Sequence, residues 1–326
     1  MSIVLGIESS AHTFGVGVIK DGTIIANEKE MFPISDSGII PAKVADFHSS
    51  NAYSVLKRAL DKSKLSMNDI NAIGYTKGPG LGPCLRTGQL AARTLAIKYN
   101  KPLFPVNHSL AHIEIVKLLN NVEDALVLYI SGGNSQILAL VDEPFKHYYV
   151  YGETFDIGIG NMLDSFARVA KLKPAWGSSV AMAAEGGSYI SMPYTVKGMD
   201  FTFTGLLTYA EKALAKYELK DVAYSLQETA FAMLTEATER AILLTKKDKL
   251  IICGGVAQSA RLRGMLAEML SQHNIPLYAA PNEFNADNGA MVAVVAEKMF
   301  NSGLKYNIED CDINQRYRID NVEIKW

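Results

Sequence analysis

Cysteine is scarce in this chain, and its scarcity excludes a fold held together by disulfides. The three cysteines, Cys84, Cys253 and Cys311, are odd in number and lie far apart in the sequence. This usage is typical of reduced thiols in a cytosolic protein. We therefore expect a cytoplasmic protein.

Long apolar runs are also missing, which argues against a membrane protein. The longest runs, such as residues 125–130, are far shorter than the roughly 20 residues that span a bilayer. The N-terminus has no basic region and reaches Glu8 early, so it does not resemble a signal peptide. We expect no membrane contact.

An excess of either charge is absent, so the chain as a whole has no electrostatic footprint for nucleic acid. The formal net charge is −2. Any RNA partner must then be attracted by local basic patches or by other subunits. Hydrophobic residues make up 48% and charged residues 20% of the chain, which is ordinary for a well-packed protein, and a length of 326 residues favours two domains.

Two of the six histidines, His108 and His112, lie four residues apart in a stretch with helical apolar spacing. Asn107 just before them has the chemistry of an N-cap. On a helix the two imidazoles share one face and can bind one metal ion. The alternative is one histidine hydrogen-bonded in the core and one in solvent. A zinc peptidase needs a glutamate directly after the first histidine, where this chain has Ser109.

Two stretches share one plan, namely a strand, a short polar turn and a returning strand. The first lies within residues 2–30 and the second within residues 125–141. The backbone amides of such a turn can cradle an anion, although each stretch also fits an ordinary hairpin. Because each hairpin opens an α/β half, the pattern predicts an internally duplicated fold of two domains.

Residues 77–86 read Lys-Gly-Pro-Gly-Leu-Gly-Pro-Cys-Leu-Arg, and their three glycines and two prolines predict a loop ahead of a helix at 86–99. A rigid loop before a helix can bind an anion, with Arg86 assisting. It can equally be a tight connection between a strand and a helix.

Two further turns allow both a ligand and a plain structural role. Gly254-Gly255 follows a buried strand and precedes a helix, an arrangement frequent both at nucleotide sites and in plain turns. Asp287 precedes a helix at 291–300, where it can act as an N-cap.

Taken together and in order, these motifs resemble the universal tRNA threonylcarbamoyladenosine transferase family, once described as O-sialoglycoprotein endopeptidase. The resemblance runs from end to end and rests on several short matching stretches: 6–15, 77–86, 107–114, 129–134, 152–168, 254–262, 287–290 and 313–320. The turn Ala11-His12-Thr13-Phe14 is similar to the archaeal and eukaryotic cytosolic branch. The family has the actin/Hsp70/sugar-kinase fold, which implies domains at 1–118 plus 291–326 and at 119–290, with a nucleotide cleft between them.

The resemblance implies a metal site and a nucleotide site. The metal ligands would be two imidazoles, a phenol and a carboxylate, a set that suits iron best and zinc as an alternative: His108, His112, Tyr129 and Asp287. The ATP- or AMP-type part of the substrate would be contacted by residues of the second half: Tyr129, Ile130, Ser131, Gly132, Gly133, Asp164, Gly177 and Ser259.

The resemblance also implies a reaction and partners. An adenylate-forming enzyme makes threonylcarbamoyl-AMP, and this protein transfers the threonylcarbamoyl group to N6 of adenosine 37 in ANN-decoding tRNAs. Positioning and electrostatics should dominate, because the amine is a weak nucleophile. Glu8 and His12 are the candidates for the general base. The cytosolic branch works in the KEOPS complex, which implies a kinase/ATPase subunit and a dimerising subunit as partners.

Two positions depart from the family pattern. A glutamate that contacts the nucleotide sugar is Ala181 here, and an asparagine that contacts the nucleotide is Ser259. A catalytically weakened scaffold that keeps the metal and nucleotide sites in the same complex is therefore an alternative function. A small-molecule kinase is another, but the histidine pair with Tyr129 is a poor magnesium site.

Overall fold

The computed structural model describes residues 2–33 and 39–326. The strands of this part of the chain are β1 (Ile3–Glu8), β2 (Thr13–Lys20), β3 (Thr23–Met31), β4 (Ala72–Gly78), β5 (Leu103–Asn107), β6 (Leu126–Ile130), β7 (Ser135–Val141), β8 (His147–Glu153), β9 (Val196–Lys197), β10 (Asp200–Phe201), β11 (Leu250–Cys253) and β12 (Leu277–Ala279). Its α-helices are α1 (Pro41–Ser63), α2 (Gly82–Tyr99), α3 (His108–Asn120), α4 (Ile159–Val169), α5 (Gly177–Ala183), α6 (Thr204–Ala213), α7 (Leu219–Thr245), α8 (Ala260–Ser271), α9 (Asn282–Asn285) and α10 (Gly289–Asn301). Within these residues no helix is both long enough and apolar enough to cross a membrane.

The chain divides into two compact units. Unit 1 comprises Met1–Asn121, Val141–His147 and Ala280–Trp326, and unit 2 comprises Val122–Leu140 and Tyr148–Ala279. This division differs from the predicted domains, 1–118 plus 291–326 and 119–290, because residues 119–121, 141–147 and 280–290 belong to unit 1. Residues 289 and 290 are part of α10, which packs on β1, β2 and β4 of that unit.

Each unit contains a five-stranded sheet, and the two sheets have the same plan. In unit 1 the order is β3-β2-β1-β4-β5, with β2 antiparallel and β4 parallel to β1. In unit 2 the corresponding order is β8-β7-β6-β11-β12, with β7 antiparallel and β11 parallel to β6. The duplicated α/β fold predicted from the two hairpins is confirmed.

Glycines in β1 and β2 bring α10 directly onto the sheet of unit 1. A Cβ atom added to Gly6 would lie 2.2 Å from the backbone nitrogen of Ala293, and one added to Gly17 would lie 2.2 Å from that of Ala290. Side chains at these positions would overlap the helix backbone, so the approach requires glycine. The glycines thereby fix the first turn of α10 and the position of Asp287 just before it.

Helices α2 and α10 begin earlier than the sequence predicted. Helix α2 starts at Gly82 rather than at residue 86, because Pro83 lies in the first turn, where a missing N–H costs no hydrogen bond. Helix α10 starts at Gly289 rather than at residue 291. Helix α6 starts at Thr204, where the carboxylate of Asp156 accepts hydrogen bonds from the backbone amides of Phe203 and Thr204 and so supports this start.

Candidate active site

The candidate site of unit 1 lies where three neighbouring parallel strands end. Glu8 is the last residue of β1, Thr76 lies near the end of β4, and β5 runs directly into α3 at His108. Because the carboxyl ends of parallel strands meet at one edge of a sheet, residues distant in sequence converge there. The side chain of Asn107 accepts a hydrogen bond from the backbone nitrogen of Leu110, which confirms the predicted N-cap of α3.

Three side chains in this part of the chain can hold a metal ion. His108, His112 and Asp287 each offer one ligand atom, and these atoms all lie within 4.8 Å of one another. Asp287 Oδ1 is 3.1 Å from His112 Nε2 and 3.6 Å from His108 Nε2. The two imidazole rings are 4.8 Å apart and nearly perpendicular. A set of two buried imidazole nitrogens and a partly exposed carboxylate fits iron or zinc and fits magnesium poorly.

Glu8 holds one of the two imidazoles in place. Its carboxylate is fully buried and accepts hydrogen bonds from Ser10 N at 2.5 Å and Thr76 Oγ1 at 2.6 Å, and it lies 3.1 Å from His108 Nδ1. With Nδ1 of His108 facing Glu8, its Nε2 faces Asp287, and this nitrogen can bind a metal once it has given up its proton. A carboxylate behind a ligating histidine in this way orients the ring and raises its basicity.

The charged groups of the cluster shift one another's pKa values. Burial alone lowers the pKa of His108, but the carboxylates of Glu8 and Asp287 outweigh it and raise that pKa to about 9. Burial, together with the neighbouring His108, lowers the pKa of His112, although Asp287 acts in the opposite direction. Burial opposes ionisation of Asp287, yet the nearby imidazoles of His108, His112 and His12 hold the pKa of its carboxyl below the usual range. The carboxylate is therefore charged at neutral pH and ready to bind a cation.

Asp287 is not the N-cap that the sequence allowed it to be. The cap of α10 is Asn288, whose side chain accepts a hydrogen bond from Met291 N and donates to the backbone oxygens of Ala286 and Phe284. Because Asn288 caps the helix, the Asp287 carboxylate can face the histidines.

Two further candidate residues are His12, in the turn after β1, and Tyr129, in the second hairpin. His12 is half-buried. Burial raises the pKa of the Asp287 carboxyl, whereas His108, His112 and, by a smaller amount, His12 lower it. Tyr129 is buried near the end of β6 in unit 2, paired in register with Gln136 of β7 and Cys253 of β11. Its role as a metal ligand stays a prediction.

The turn after β6 and the start of α4 form one tightly packed structure in unit 2. Ser131 N donates to Asn134 O, and the amides of Gly160 and Asn161 donate to Ser131 O and Gly132 O. A Cβ atom on Gly160 would lie 2.8 Å from Gly132 Cα, so glycine is needed for this contact. Gly132 and Gly133 remain exposed, and their amides can meet an anion.

Other candidate nucleotide contacts connect to this structure through α4 and β11. Asp164 Oδ1 accepts a hydrogen bond from Gly177 N at 2.7 Å, so the two residues are neighbours. Gly254, at φ 93°, approaches the backbone of Ile130 so closely that a Cβ atom would lie 2.3 Å from Ile130 O. Ser259 caps α8 by accepting from Leu262 N. Contact of these residues with a nucleotide stays a prediction.

Sequence reasoning missed some residues that build the site of unit 1. Thr76 binds Glu8, and Lys29 Nζ lies 3.4 Å from the backbone oxygen of Asp287. Thr76 carried a weak signal, because it directly precedes the glycine-rich stretch at 77–86. No sequence signal pointed to Lys29, since its strand has the pattern of an ordinary edge strand.

Comparison with known proteins identifies the family of the chain. The family model of TsaD, tRNA N6-adenosine threonylcarbamoyltransferase, matches residues 22–294. The tRNA N6-adenosine threonylcarbamoyltransferase of Thermococcus sibiricus is 44% identical over 327 residues, covering 99% of this chain and 100% of the relative. The tRNA N6-adenosine threonylcarbamoyltransferase of Metallosphaera sedula is also 44% identical, with 99% of each chain covered. A probable bifunctional tRNA threonylcarbamoyladenosine biosynthesis protein from Thermoplasma volcanium is 43% identical, with 99% of this chain and 61% of that protein covered.

Solved structures with low sequence identity share the fold. HypF of T. kodakarensis is similar with a TM-score of 0.64 at 15% identity, covering 93% of this chain and 48% of that one. Component A of the (R)-2-hydroxyglutaryl-CoA dehydratase of Acidaminococcus fermentans has a TM-score of 0.59 at 14% identity, with 91% and 98% covered. These neighbours establish an actin/Hsp70/sugar-kinase-like fold. With the family model spanning most of the sequence and relatives matching it from end to end, the chain belongs to the tRNA N6-adenosine threonylcarbamoyltransferase family.

Proposed function

We propose that this protein synthesises threonylcarbamoyladenosine in tRNA. It transfers the threonylcarbamoyl group from threonylcarbamoyl-AMP to N6 of adenosine 37 in ANN-decoding tRNAs. The observation that carries the proposal is the intact cluster of His108, His112 and Asp287 in a chain whose relatives, named for this transfer, match it over 99% of its length.

The proposed metal is iron, with zinc as the alternative. His108, His112 and Asp287 would hold it, with Tyr129 as the fourth protein ligand. When bound, the metal supplies positive charge that neutralises the phosphate of the leaving AMP. Glu8 then serves as the residue that orients His108, which its complete burial and its contact with Nδ1 support.

In the proposed chemistry a bond forms between N6 and the carbamoyl carbon as the bond from that carbon to the phosphate oxygen breaks. The imidazole of His12 accepts the proton that N6 loses, and AMP leaves with the electron pair. His12 suits this role better than Glu8, because His12 is only half-buried and the carboxylate of Glu8 is already occupied by three partners.

The proposed nucleotide site lies in unit 2. The exposed amides of Gly132 and Gly133 would meet the phosphate, and Asp164, Gly177 and Ser259 would contact the rest of the nucleotide. Ala181 has no hydrogen-bonding side chain, and Ser259 already caps α8. These two positions favour the second candidate function, a scaffold with weakened nucleotide binding.

The proposed partners are tRNA, the KEOPS-type kinase/ATPase and dimerising subunits, and the enzyme that makes threonylcarbamoyl-AMP. We place this assembly in the cytoplasm. A relative from Thermoplasma volcanium named as probably bifunctional in the same biosynthesis supports a functional link to a second activity.

The test measures transfer of labelled threonine into unmodified tRNA, together with the metal content of the protein. The purified chain is combined with the adenylate-forming enzyme, with and without the KEOPS-type subunits. We expect label in tRNA from the wild-type protein. The Asp287→Ala variant should lose most of its metal, because the missing carboxylate would bind the same ion as the two histidines, and its transfer should fall by about 100-fold or more.

Asp248→Ala is the matched control, because Asp248 is exposed and pairs with the neighbouring Lys249, far along the chain from the metal ligands. It should retain metal and activity. Folded, metal-loaded wild-type protein that transfers no label in either mixture would contradict the transferase and favour the scaffold.

A further inference from the structure

An open pocket in unit 1 lies between Arg86, at the end of the glycine-rich stretch 77–86, and the C-terminal tail, and the proposed chemistry does not use it. Its volume is about 500 Å³, and it is lined by Arg86 and by residues 312–316. We call it the tail pocket. Its size lies in the range of small-ligand sites, and its lining is almost entirely polar.

The walls of the tail pocket are held by backbone hydrogen bonds. Asn314 N donates to Lys77 O at 2.8 Å, and Gly80 N donates to Gln315 O at 3.3 Å. Glycine is required where the tail crosses the loop, because a Cβ atom on Gly78 would lie 1.8 Å from Asn314 O. The pocket is therefore a built feature of the fold.

Two arginines line this cavity and have no partner within the described part of the protein. In residues 2–33 and 39–326, the guanidinium groups of Arg86 and Arg316 make no hydrogen bond and no ion pair. Both side chains are exposed. Elsewhere in the described chain Arg58, Arg240 and Arg261 pair with glutamates. Two unpaired guanidinium groups beside one pocket indicate an anionic ligand.

The other lining groups narrow the choice of anion. Asn314 and Gln315 add amide donors, whereas Asp312 adds a carboxylate, which already accepts from Ile313 N and Gln89 Nε2 through Oδ1. A carboxylate repels a free phosphate dianion but accepts a hydrogen bond from a ribose 2′-hydroxyl. A phosphodiester with its ribose satisfies both kinds of group.

We propose that the tail pocket binds one ribose-phosphate unit of the tRNA backbone. The proposal rests on the transferase function and supplies the local basic patch that a chain of net charge −2 needs to hold RNA. Arg86 and Arg316 contact the phosphate, and Asp312 accepts from the 2′-hydroxyl.

The pocket is linked to the candidate site by two routes of hydrogen bonds. Asn107 caps the helix that carries His108 and His112, and its Nδ2 donates to Tyr317 O in the tail at 2.8 Å. On the other side, Leu81 N donates to Ser10 O, and Ser10 N binds Glu8. An RNA backbone bound in the tail pocket would therefore contact elements that are hydrogen-bonded to those that position the metal ligands.

The test measures binding of fluorescently labelled tRNA to the purified full-length chain over a series of salt concentrations. We expect Arg86→Gln and Arg316→Gln each to weaken binding by about tenfold. The double variant should also make the logarithm of affinity less salt-dependent, with a slope smaller by about 0.7–0.9 for each phosphate that is no longer neutralised. Lys216→Gln is the control, because Lys216 is exposed and the substitution removes the same charge elsewhere.

Two further measurements separate this proposal from its alternatives. Asp287→Ala should keep tRNA affinity while losing metal, so a failure of the transfer chemistry is distinguishable from a failure of the pocket. A DNA strand of the same sequence should bind several-fold more weakly than the RNA. If the folded double variant binds tRNA as the wild type does, with the same salt slope, the proposal is wrong. If it instead loses an acidic protein partner, the pocket belongs to that partner.

Discussion

At the scale of the residue, glycine has opposite effects at two positions of this chain. Gly17 in β2 lies against the backbone of Ala290, whereas a Cβ atom on Gly264, in the exposed middle of α8, would meet nothing within 4 Å. The first glycine makes room for a helix, and the second only costs conformational entropy.

We therefore expect opposite effects of the same substitution. Gly17→Ala should lower the free energy of unfolding by about 2–3 kcal/mol, because the methyl group displaces the first turn of α10. Gly264→Ala should raise it by about 0.5–1 kcal/mol, the helix preference of alanine over glycine. Urea unfolding of both variants measures the difference. A Gly17→Ala protein as stable as the wild type, with full metal content, would contradict the tight contact.

The residues of the metal site differ in how far the sequence alone could predict them. His108 and His112 were predictable, because a spacing of four on a helix places two side chains on one face without knowledge of the rest of the chain. Asp287 lies 175 residues away from His112 along the chain, and local pattern assigned it a cap. Its pairing with His112 depends on the packing of α10 on the sheet, which only the family resemblance anticipated.

At the scale of the element, Asp156 shows how one carboxylate starts a helix. It accepts hydrogen bonds from the amides of Ile157, Phe203 and Thr204. Although burial acts in the opposite direction, these bonds lower the pKa of Asp156 to about 2. The local sequence of α6 does not reveal where the helix starts, because the carboxylate that supports its start lies 48 residues earlier.

The pKa of Asp156 predicts a loss of stability in acid. Because the pKa is lower in the folded than in the unfolded protein, the stabilisation is fully present above about pH 4 and disappears as the pH falls towards 2. Asp156→Asn should cost on the order of 1 kcal/mol at pH 7, after allowance for solvent screening. The difference from the wild type in urea midpoint should shrink to nothing near pH 2. A difference that is constant from pH 7 to pH 2 would show that the charge plays no part.

At the scale of the whole molecule, the duplication was readable from the sequence and the extent of each unit was not. Both hairpins were recognisable by alternating strands and polar turns, which are local features. The assignment of residues 280–290 to unit 1 depends on where α10 packs, and that is settled by glycines in β1 and β2 at the other end of the chain.

The two tryptophans report separately on the two units. Trp176 lies in unit 2 and Trp326 in unit 1, which also holds His108, His112 and Asp287. Removing the proposed metal should therefore destabilise unit 1 more than unit 2. At a metal concentration 100 times the dissociation constant, the loss is about 2.7 kcal/mol, or about 5–10 °C in the midpoint.

Thermal unfolding with and without a chelator tests this expectation in single-tryptophan variants. Trp176→Phe leaves the reporter of unit 1, and Trp326→Phe leaves that of unit 2. The midpoint followed by Trp326 should fall further. Equal shifts in both variants would mean that the metal stabilises the molecule as one cooperative unit.

The sequence of unit 2 interrupts that of unit 1, and this has a consequence for the protein as it is made on the ribosome. His108 and His112 are synthesised early, but their carboxylate partner Asp287 follows only after all of unit 2. Domains generally fold as units during synthesis, so unit 2 has its full complement of residues while unit 1 still waits for α10. The nascent chain thus carries an incomplete binding site for most of its synthesis, and the metal can be captured by the full ligand set only near the end of translation.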